Sequence, residues 1–268
     1  MNHLMRHLAP IPDQAWDAIT DEAASVLRQF LAARKLVEFS GPEGWAHSAE
    51  VTGRVDRLAE SPHENVDAAL RQLQPLVEVR TDLELDRTEL DAVERGAPDP
   101  DLDPVAQAAR RLALAEDAAV FDGYPAAGIV GIAEASPHES IPISSDYEEY
   151  PHSVAKAVSR LRLDGVEGPY GIALGPRCYQ GVMETTQRGG YPVLQHVREI
   201  LGGPVVWAPS VNGAIVVSLR GGDFELVVGQ DTSIGYRSHT ESTVALYLEE
   251  SFTFRAVGPE AGIALRYH

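Results

Sequence analysis

The sequence predicts an α+β protein with more than one lobe, and three observations carry that expectation. Trp16, Ile19, Ala23, Val26, Leu27 and Phe30 recur at helical spacing near the N-terminus. The last third is dominated by short apolar, β-branched and aromatic runs such as 214–219, 224–228 and 252–257. Between these regions the composition changes after Gly123, where glycines and prolines accumulate to about Pro142 and a second lobe begins.

Taken in order, Ala9 to Asp13 reads as an extended lead-in, with Asp13 as the N-cap of a long amphipathic helix. Asp21, Glu22, Arg28 and Arg34 give that helix polar surface, and its apolar face either covers a core or receives a partner peptide. From Ser40 to Gln74 the periodicity weakens, and Gly41, Pro42, Gly44 and the run 61–65 break the chain. An irregular arm of this length is costly in an isolated domain and is easier to accommodate if a neighbouring subunit covers it. Leu76, Val77, Val79, Leu83 and Leu85 mark an extended segment. The run 99–104 resembles a calcium loop, but Pro104 holds the required glycine position and Arg110 the bidentate glutamate position. It reads instead as a helix start, with Asp103 as N-cap and Pro104 in the first turn, followed by Val105, Ala108, Ala109, Leu112, Ala115, Ala119 and Val120. In the second lobe a helix from Pro151 to Leu163 stops at Gly165, 171–174 is a buried strand, and 192–201 is a helix ended by Gly202 and Gly203. Runs 214–219 and 224–228 suggest a hairpin across Arg220-Gly221-Gly222-Asp223, and 244–248 and 252–257 extend the strand-rich region.

Composition narrows the function. Forty acidic against 22 basic residues give a net charge of −18, a field that repels nucleic acid. One cysteine, Cys178, allows no internal disulfide and suits a reducing compartment. The N-terminus has no secretory pattern, no window approaches the roughly 18 apolar residues of a membrane span, and a cytoplasmic address is expected.

The motifs of catalysis are missing. Nine histidines include no His-Glu-x-x-His and no His-x-His pair, so no metal site is expected. No Gly-x-Ser-x-Gly elbow occurs, and Cys178, between Arg177 and Tyr179, lacks the surroundings of a catalytic thiol. Residues 128–131 lack the third glycine of a dinucleotide loop, and no phosphate loop is present. Glu116-Asp117 lacks the Glu-x-x-His partner of a di-iron site. No catalytic residue is therefore assigned.

Several runs together carry a resemblance. They are Leu8-Ala9-Pro10-Ile11 followed by Trp16, Gly41-Pro42-Glu43-Gly44-Trp45, Glu89-Leu90-Asp91 with Glu94-Arg95-Gly96, and Gly168-Pro169-Tyr170. Later come Gly190-Tyr191-Pro192, Arg220-Gly221-Gly222-Asp223-Phe224, Gly229-Gln230-Asp231 with Ser233-Ile234-Gly235-Tyr236, and Glu250-Ser251-Phe252-Thr253-Phe254. In this order the chain resembles the family-one encapsulins, formerly described as linocin-like bacteriocins. The resemblance implies the major-capsid fold of tailed bacteriophages, the Hong Kong 97 type. It implies a peripheral domain (1–47, 76–126 and 223–259), an extension loop (48–75) and an axial domain (127–222 and 260–268). It further implies a non-enzymatic, self-assembling icosahedral shell of the smallest, T=1, kind. Inside would be a cargo enzyme serving iron storage or oxidative stress: a ferritin-like protein or a dye-decolourising peroxidase. A secreted bacteriocin or hydrolase is the alternative, and a domesticated capsid packaging nucleic acid is disfavoured by the acidic composition.

Site residues follow from the same resemblance. Leu27, Arg34, Glu38, Ile234, Leu246 and Leu248 match the positions that receive the cargo's C-terminal targeting peptide. Thr185, Thr186, Gln187, Arg188, Gly189, Gly190 and Tyr191 match the loop lining the five-fold pore, where a ring of Arg188 side chains would concentrate positive charge. Some relatives stack a flavin on a tryptophan at the position of Thr88; a hydroxyl offers no such surface, so no flavin or other cofactor is expected. The implied partners are further copies of the chain and a cargo protein, with no nucleic acid and no membrane.

Overall fold

Fourteen consecutive residues, Thr243–Ala256, form one strand that organises half of the molecule. The computed structural model describes residues 3–267; positions 1, 2 and 268, at the ends of the expected segments 1–47 and 260–268, lie outside the described residues. In chain order the elements are α1 (Asp13–Phe30), β1 (Glu38–Ser40), β2 (Ala49–Arg57), β3 (Ala69–Pro75), β4 (Val77–Asp86), α2 (Arg87–Glu94), α3 (Asp103–Phe121) and α4 (Ile132–Ala135). Then follow β5 (Ile141–Ile143), α5 (Tyr150–Leu163), β6 (Tyr170–Leu174), α6 (Pro176–Glu184), α7 (Val193–Leu201), β7 (Val205–Trp207), β8 (Ala214–Ser218), β9 (Phe224–Val228), β10 (Ser233–His239), β11 (Thr243–Ala256) and β12 (Gly262–Tyr267).

The strands make two five-stranded sheets and one two-stranded ribbon. In the first sheet β11 pairs antiparallel with β4, from Thr243 opposite Asp86 to Phe252 opposite Val77. It also pairs antiparallel with β10 and then β9, and β1 joins β9 in parallel. The second sheet runs β5-β12-β8-β6-β7. Helices α1 and α3 pack their apolar stripes on the first sheet, burying Ile19, Ala23, Leu112, Leu246 and Leu248 in one cluster. The larger cluster surrounds the second sheet and reaches Phe224, Phe252 and Phe254 of the first, so the two sheets share apolar packing.

Four expectations need correction. The arm 48–75 is not irregular: β2 and β3 form an antiparallel ribbon, with the register broken between Val51 and Val55, where Gly53 takes a positive φ of 71°. Its apolar residues alternate without a core to face, which hides the pattern from a periodicity search. The hairpin across 220–223 does not exist. β8 belongs to the second sheet and β9 to the first, and 219–223 is a crossing between them. Arg220 forks onto Asp223 there, with Nε–Oδ2 2.9 Å and Nη2–Oδ1 2.7 Å, while Gly221 and Gly222 turn the chain at φ 91° and 81°. The runs 244–248 and 252–257 fuse into β11. Finally, Asp13 and Asp103 are the first residues of their helices, with Pro12 and Leu102 at the cap positions. Their carboxylates face the helix dipole rather than cap it by hydrogen bonding.

Candidate functional site

An amphipathic helix on a sheet leaves a furrow wherever its apolar stripe outruns the sheet beneath. Along α1, Trp16, Ile19 and Ala23 are buried while Leu27, one turn on, is half-buried. There the helix borders the start of β10, and the two enclose a groove of about 180 Å³ whose apolar lining includes Ala23, Leu27 and Ile234, with Thr20, Thr232 and Ser233 as hydroxyls. Two of the six expected peptide-binding residues, Leu27 and Ile234, are thus brought together. Leu246 and Leu248 have no exposed surface and belong to the cluster beneath, so they shape the groove from below and cannot touch a ligand. Leu4 and Arg6 also line it. The sequence pattern missed both, because they lie in a short segment with no periodicity.

Arg34 and Glu38 lie elsewhere, on a hollow of about 220 Å³ beside Gly221 and Phe224. Arg34 is committed to a buried cluster. Its Nε donates to both Glu116 carboxylate oxygens at 3.0 Å, Nη1 to Asp231 Oδ1 at 2.8 Å and Nη2 to Glu250 Oε2 at 3.2 Å. Burial works against the Arg34 charge, but its hydrogen bond to Glu116 and the charges of Glu116 and Asp231 hold its pKa above the ordinary value. Burial raises the pKa of Glu116, against the pull of Arg34, and raises that of Glu250 well above the usual range, helped by the Glu116 charge. Glu250 Oε1 has no hydrogen-bond partner. One guanidinium faces three carboxylates, so Glu250, raised well above the usual range, is the group whose neutral form the site favours most.

Next to this cluster Asp117 accepts from the Ala32 N–H at 3.1 and 3.0 Å and from the Ala33 N–H at 2.9 Å, fixing the turn that follows α1. Burial raises its pKa to about 7, against the two backbone donors. The pair Glu116-Asp117 therefore has a role the sequence did not suggest: it secures the end of α1.

The expected pore loop is a closed turn. The Gln187 N–H donates to Tyr191 O at 2.8 Å, the Gly190 N–H to Gln187 O at 2.9 Å and the Val193 N–H to Thr185 O at 3.1 Å, while Thr186 bridges Pro192. Gly189 and Gly190 take φ of 107° and 84°, values that disfavour side chains with a Cβ. Gln187 Oε1 lies 2.9 Å from His196 Nδ1 and Tyr191 donates to Glu199 at 2.5 Å, so the base is tied to α7. Arg188 stands at the tip with a side chain 94% exposed and only a loose 3.9 Å approach to Glu148. Thr88 is exposed in the first turn of α2, where its N–H and Oγ1 each donate to Asp86 Oδ1 at 2.8 Å. Among the described residues no cluster of three or more potential metal ligands occurs, and no helix is long and apolar enough to cross a membrane.

Two sheets joined by several crossings, a long N-terminal helix and an apolar ribbon left bare by its own body define the class of capsid-type chains. The virus-like particle of Pyrococcus furiosus superposes with a TM-score of 0.67 over 94% of this chain and 99% of that one, at 16% identity. Mycobacterium phage Bobi gives 0.56 over 90% and 91%, at 13% identity. At such identities the likeness carries the fold alone, the α+β major-capsid fold of the Hong Kong 97 type. Sequence carries the rest. Residues 1–253 match the family model described as encapsulating protein for peroxidase. The type 1 encapsulin shell protein of Rhodospirillum rubrum is 52% identical over 99% of this chain and 97% of its own length, and that of Mycobacterium tuberculosis 43% over 100% of both. The chain belongs to the type 1 encapsulin shell protein family.

Proposed function

We propose that this chain is a non-enzymatic shell subunit that assembles with copies of itself into a closed icosahedral container, of the T=1 kind, around a cargo enzyme in the cytoplasm. The observation that carries self-assembly is the β2–β3 ribbon: Val51, Val55, Leu70 and Leu73 are all more than half exposed. Apolar surface on a projecting ribbon is stable in water only when another chain covers it. In this reading 48–75 is the extension loop that embraces a neighbour, the first sheet with α1 and α3 is the peripheral domain, and the second sheet is the axial domain. The cargo is a peroxidase or a ferritin-like iron oxidase. The family description, which names a peroxidase, supports the first.

The α1–β10 groove receives the cargo's C-terminal peptide. Leu27→Asp is the clean test, because it alters the groove without touching the Arg34 cluster. Shells should form with unchanged diameter by negative-stain microscopy but hold less than about a tenth of the wild-type cargo; full loading would remove the groove from the function. Arg34 is a poor probe, since removing it strands buried carboxylates at a cost of about 3–5 kcal/mol. The loop 185–191 lines the pore, and Arg188→Glu should change small-ion uptake without changing assembly; identical uptake kinetics would end that role. The reading includes no flavin at Thr88, so purified shells should lack flavin absorbance.

A further inference from the structure

Cys178 is the chain's one thiol, buried completely on α6, and three tyrosines close around it. The Tyr267 hydroxyl, on β12, lies 3.0 Å from the Cys178 sulfur. The Tyr147 hydroxyl lies 2.6 Å from that of Tyr267 and 2.9 Å from Arg177 O. Tyr150, in the first turn of α5, is buried in the same apolar cluster, with its ring centroid 5.9 Å from that of Tyr147 and no hydrogen-bond partner for its hydroxyl. Glycine at 181 makes room for this packing, since a Cβ there would fall 2.2 Å from Tyr147 Cε2.

Proton counting fixes the direction of these bonds. A phenol carries one proton and a carbonyl none, so Tyr147 donates to Arg177 O, Tyr267 donates to Tyr147, and the Cys178 S–H is left to donate to Tyr267. The thiol hydrogen is therefore already aimed at the Tyr267 oxygen, with the two heavy atoms at near-attack separation. Burial, followed by the hydrogen bond with Cys178, raises the pKa of Tyr267, and burial followed by the Cys178 charge raises that of Tyr150. The phenols beside the sulfur are thus neutral, no base activates it as a nucleophile, and one-electron chemistry remains. Access and charge then set the order of events. Cys178 has no exposed surface while Tyr147 and Tyr267 are half-buried, so a solute meets a phenol before it meets sulfur. The Arg177 guanidinium lies 4.1 Å from the Tyr267 ring centroid, a contact that favours the electron-rich phenol over an electron-poor phenoxyl radical and so drives an oxidising equivalent onward.

We propose that this cluster is a radical sink: a free-radical, one-electron oxidant in solution reacts at Tyr267, and the oxidising equivalent is passed to the buried sulfur of Cys178. In the first step the oxidant takes one electron from Tyr267, and the phenolic proton leaves to water at the half-buried rim. In the second, Cys178 transfers a hydrogen atom to the Tyr267 oxygen: the S–H bond breaks, the O–H bond forms, the phenol is regenerated and a thiyl radical remains. The oxidant has gained an electron, water has gained a proton, and the thiol has lost both. Every member of the relay belongs to one chain, so the chemistry stands apart from the container reading. It is tested on the full chain with azide radicals generated by pulse radiolysis, following the absorbance of the tyrosyl radical. The wild type should show a first-order decay whose rate is independent of protein concentration. That component should vanish in Cys178→Ser, which keeps a donor to Tyr267 but has no S–H bond to break, and in Tyr267→Phe, which removes the acceptor. Its persistence in Cys178→Ser would overturn the sink, and its persistence in Tyr267→Phe would overturn the route. A measurement on the wild type alone guards against variants that do not fold: in chain produced and purified in heavy water the component should slow, because S–D replaces S–H. An unchanged rate there would overturn the hydrogen-atom transfer.

Discussion

Strand β11 and the β2–β3 ribbon are built from the same kind of residues and end in opposite environments. Nine consecutive residues of β11, 246–254, are buried, Leu246, Leu248, Phe252 and Phe254 among them: β4 lines one edge of the strand, β10 and β9 divide the other, and α3 packs on it. Among the described residues β2 pairs only with β3, and Val51 and Leu70 remain 67% and 61% exposed. Both make antiparallel ladders, but β11 has them on both edges and β2 on one, and only the side chains of β11 are covered. The body completes its packing within one chain; the ribbon does not.

The sharpest way to test that contrast is to damage each side. Phe252→Ala, at a position with no exposed surface, should cost about 3–5 kcal/mol of chain stability, read as a lowered denaturant midpoint. A change under about 1 kcal/mol would mean that β11 is not the centre of the body. A subtler probe of the body is pH. The Asp117 carboxyl titrates at about 7 in the folded chain against an ordinary 3.8, so the native state holds its proton more tightly than the unfolded state. Its contribution to stability is complete below about pH 4 and is lost as the pH rises toward 7. Relative to Asp117→Asn, the wild type should therefore lose stability across that window and keep a constant difference above it. An unchanging difference from pH 4 to 7 would remove the buried proton. Smallest in its effect on the chain is Leu70→Glu, which should alter unfolding by less than about 0.5 kcal/mol yet leave the protein unable to form particles on size exclusion. Normal particles would show that the ribbon's apolar face needs no partner.

Much of this architecture was legible in the residues. The period of Trp16, Ile19, Ala23 and Phe30 gave α1, and the alanine-rich stretch behind Pro104 gave α3, because a stripe facing a core leaves a strong signal. Pairing partners left none. Residues 214–219 and 224–228 look like two halves of a hairpin, and only the three-dimensional crossing at Arg220 and Asp223 assigns them to different sheets. Of the candidate site, Leu27 and Ile234 were located by resemblance, while Leu246 and Leu248 prove to be support rather than surface. Leu4 and Arg6 carry no periodic signal, since their position depends on contacts with Trp16, Trp45 and Tyr236 far along the chain. Arg34 could not be told apart from an exposed arginine until Glu116, Asp231 and Glu250 were found around it.

The crossing at 219–223 has a mechanical consequence. Asp223 holds Arg220 through its side chain, and its backbone oxygen accepts from the N–H groups of Val257 at 2.8 Å and Gly258 at 3.0 Å, where the chain crosses between the sheets again. A Cβ on Gly258 would fall 2.2 Å from Asp223 Oδ1, so the two crossings touch without slack. One residue thus clamps two passages between the sheets. In the proposed shell this clamp makes the two sheets of each subunit one stiff tile and leaves the seams between tiles to absorb any mismatch.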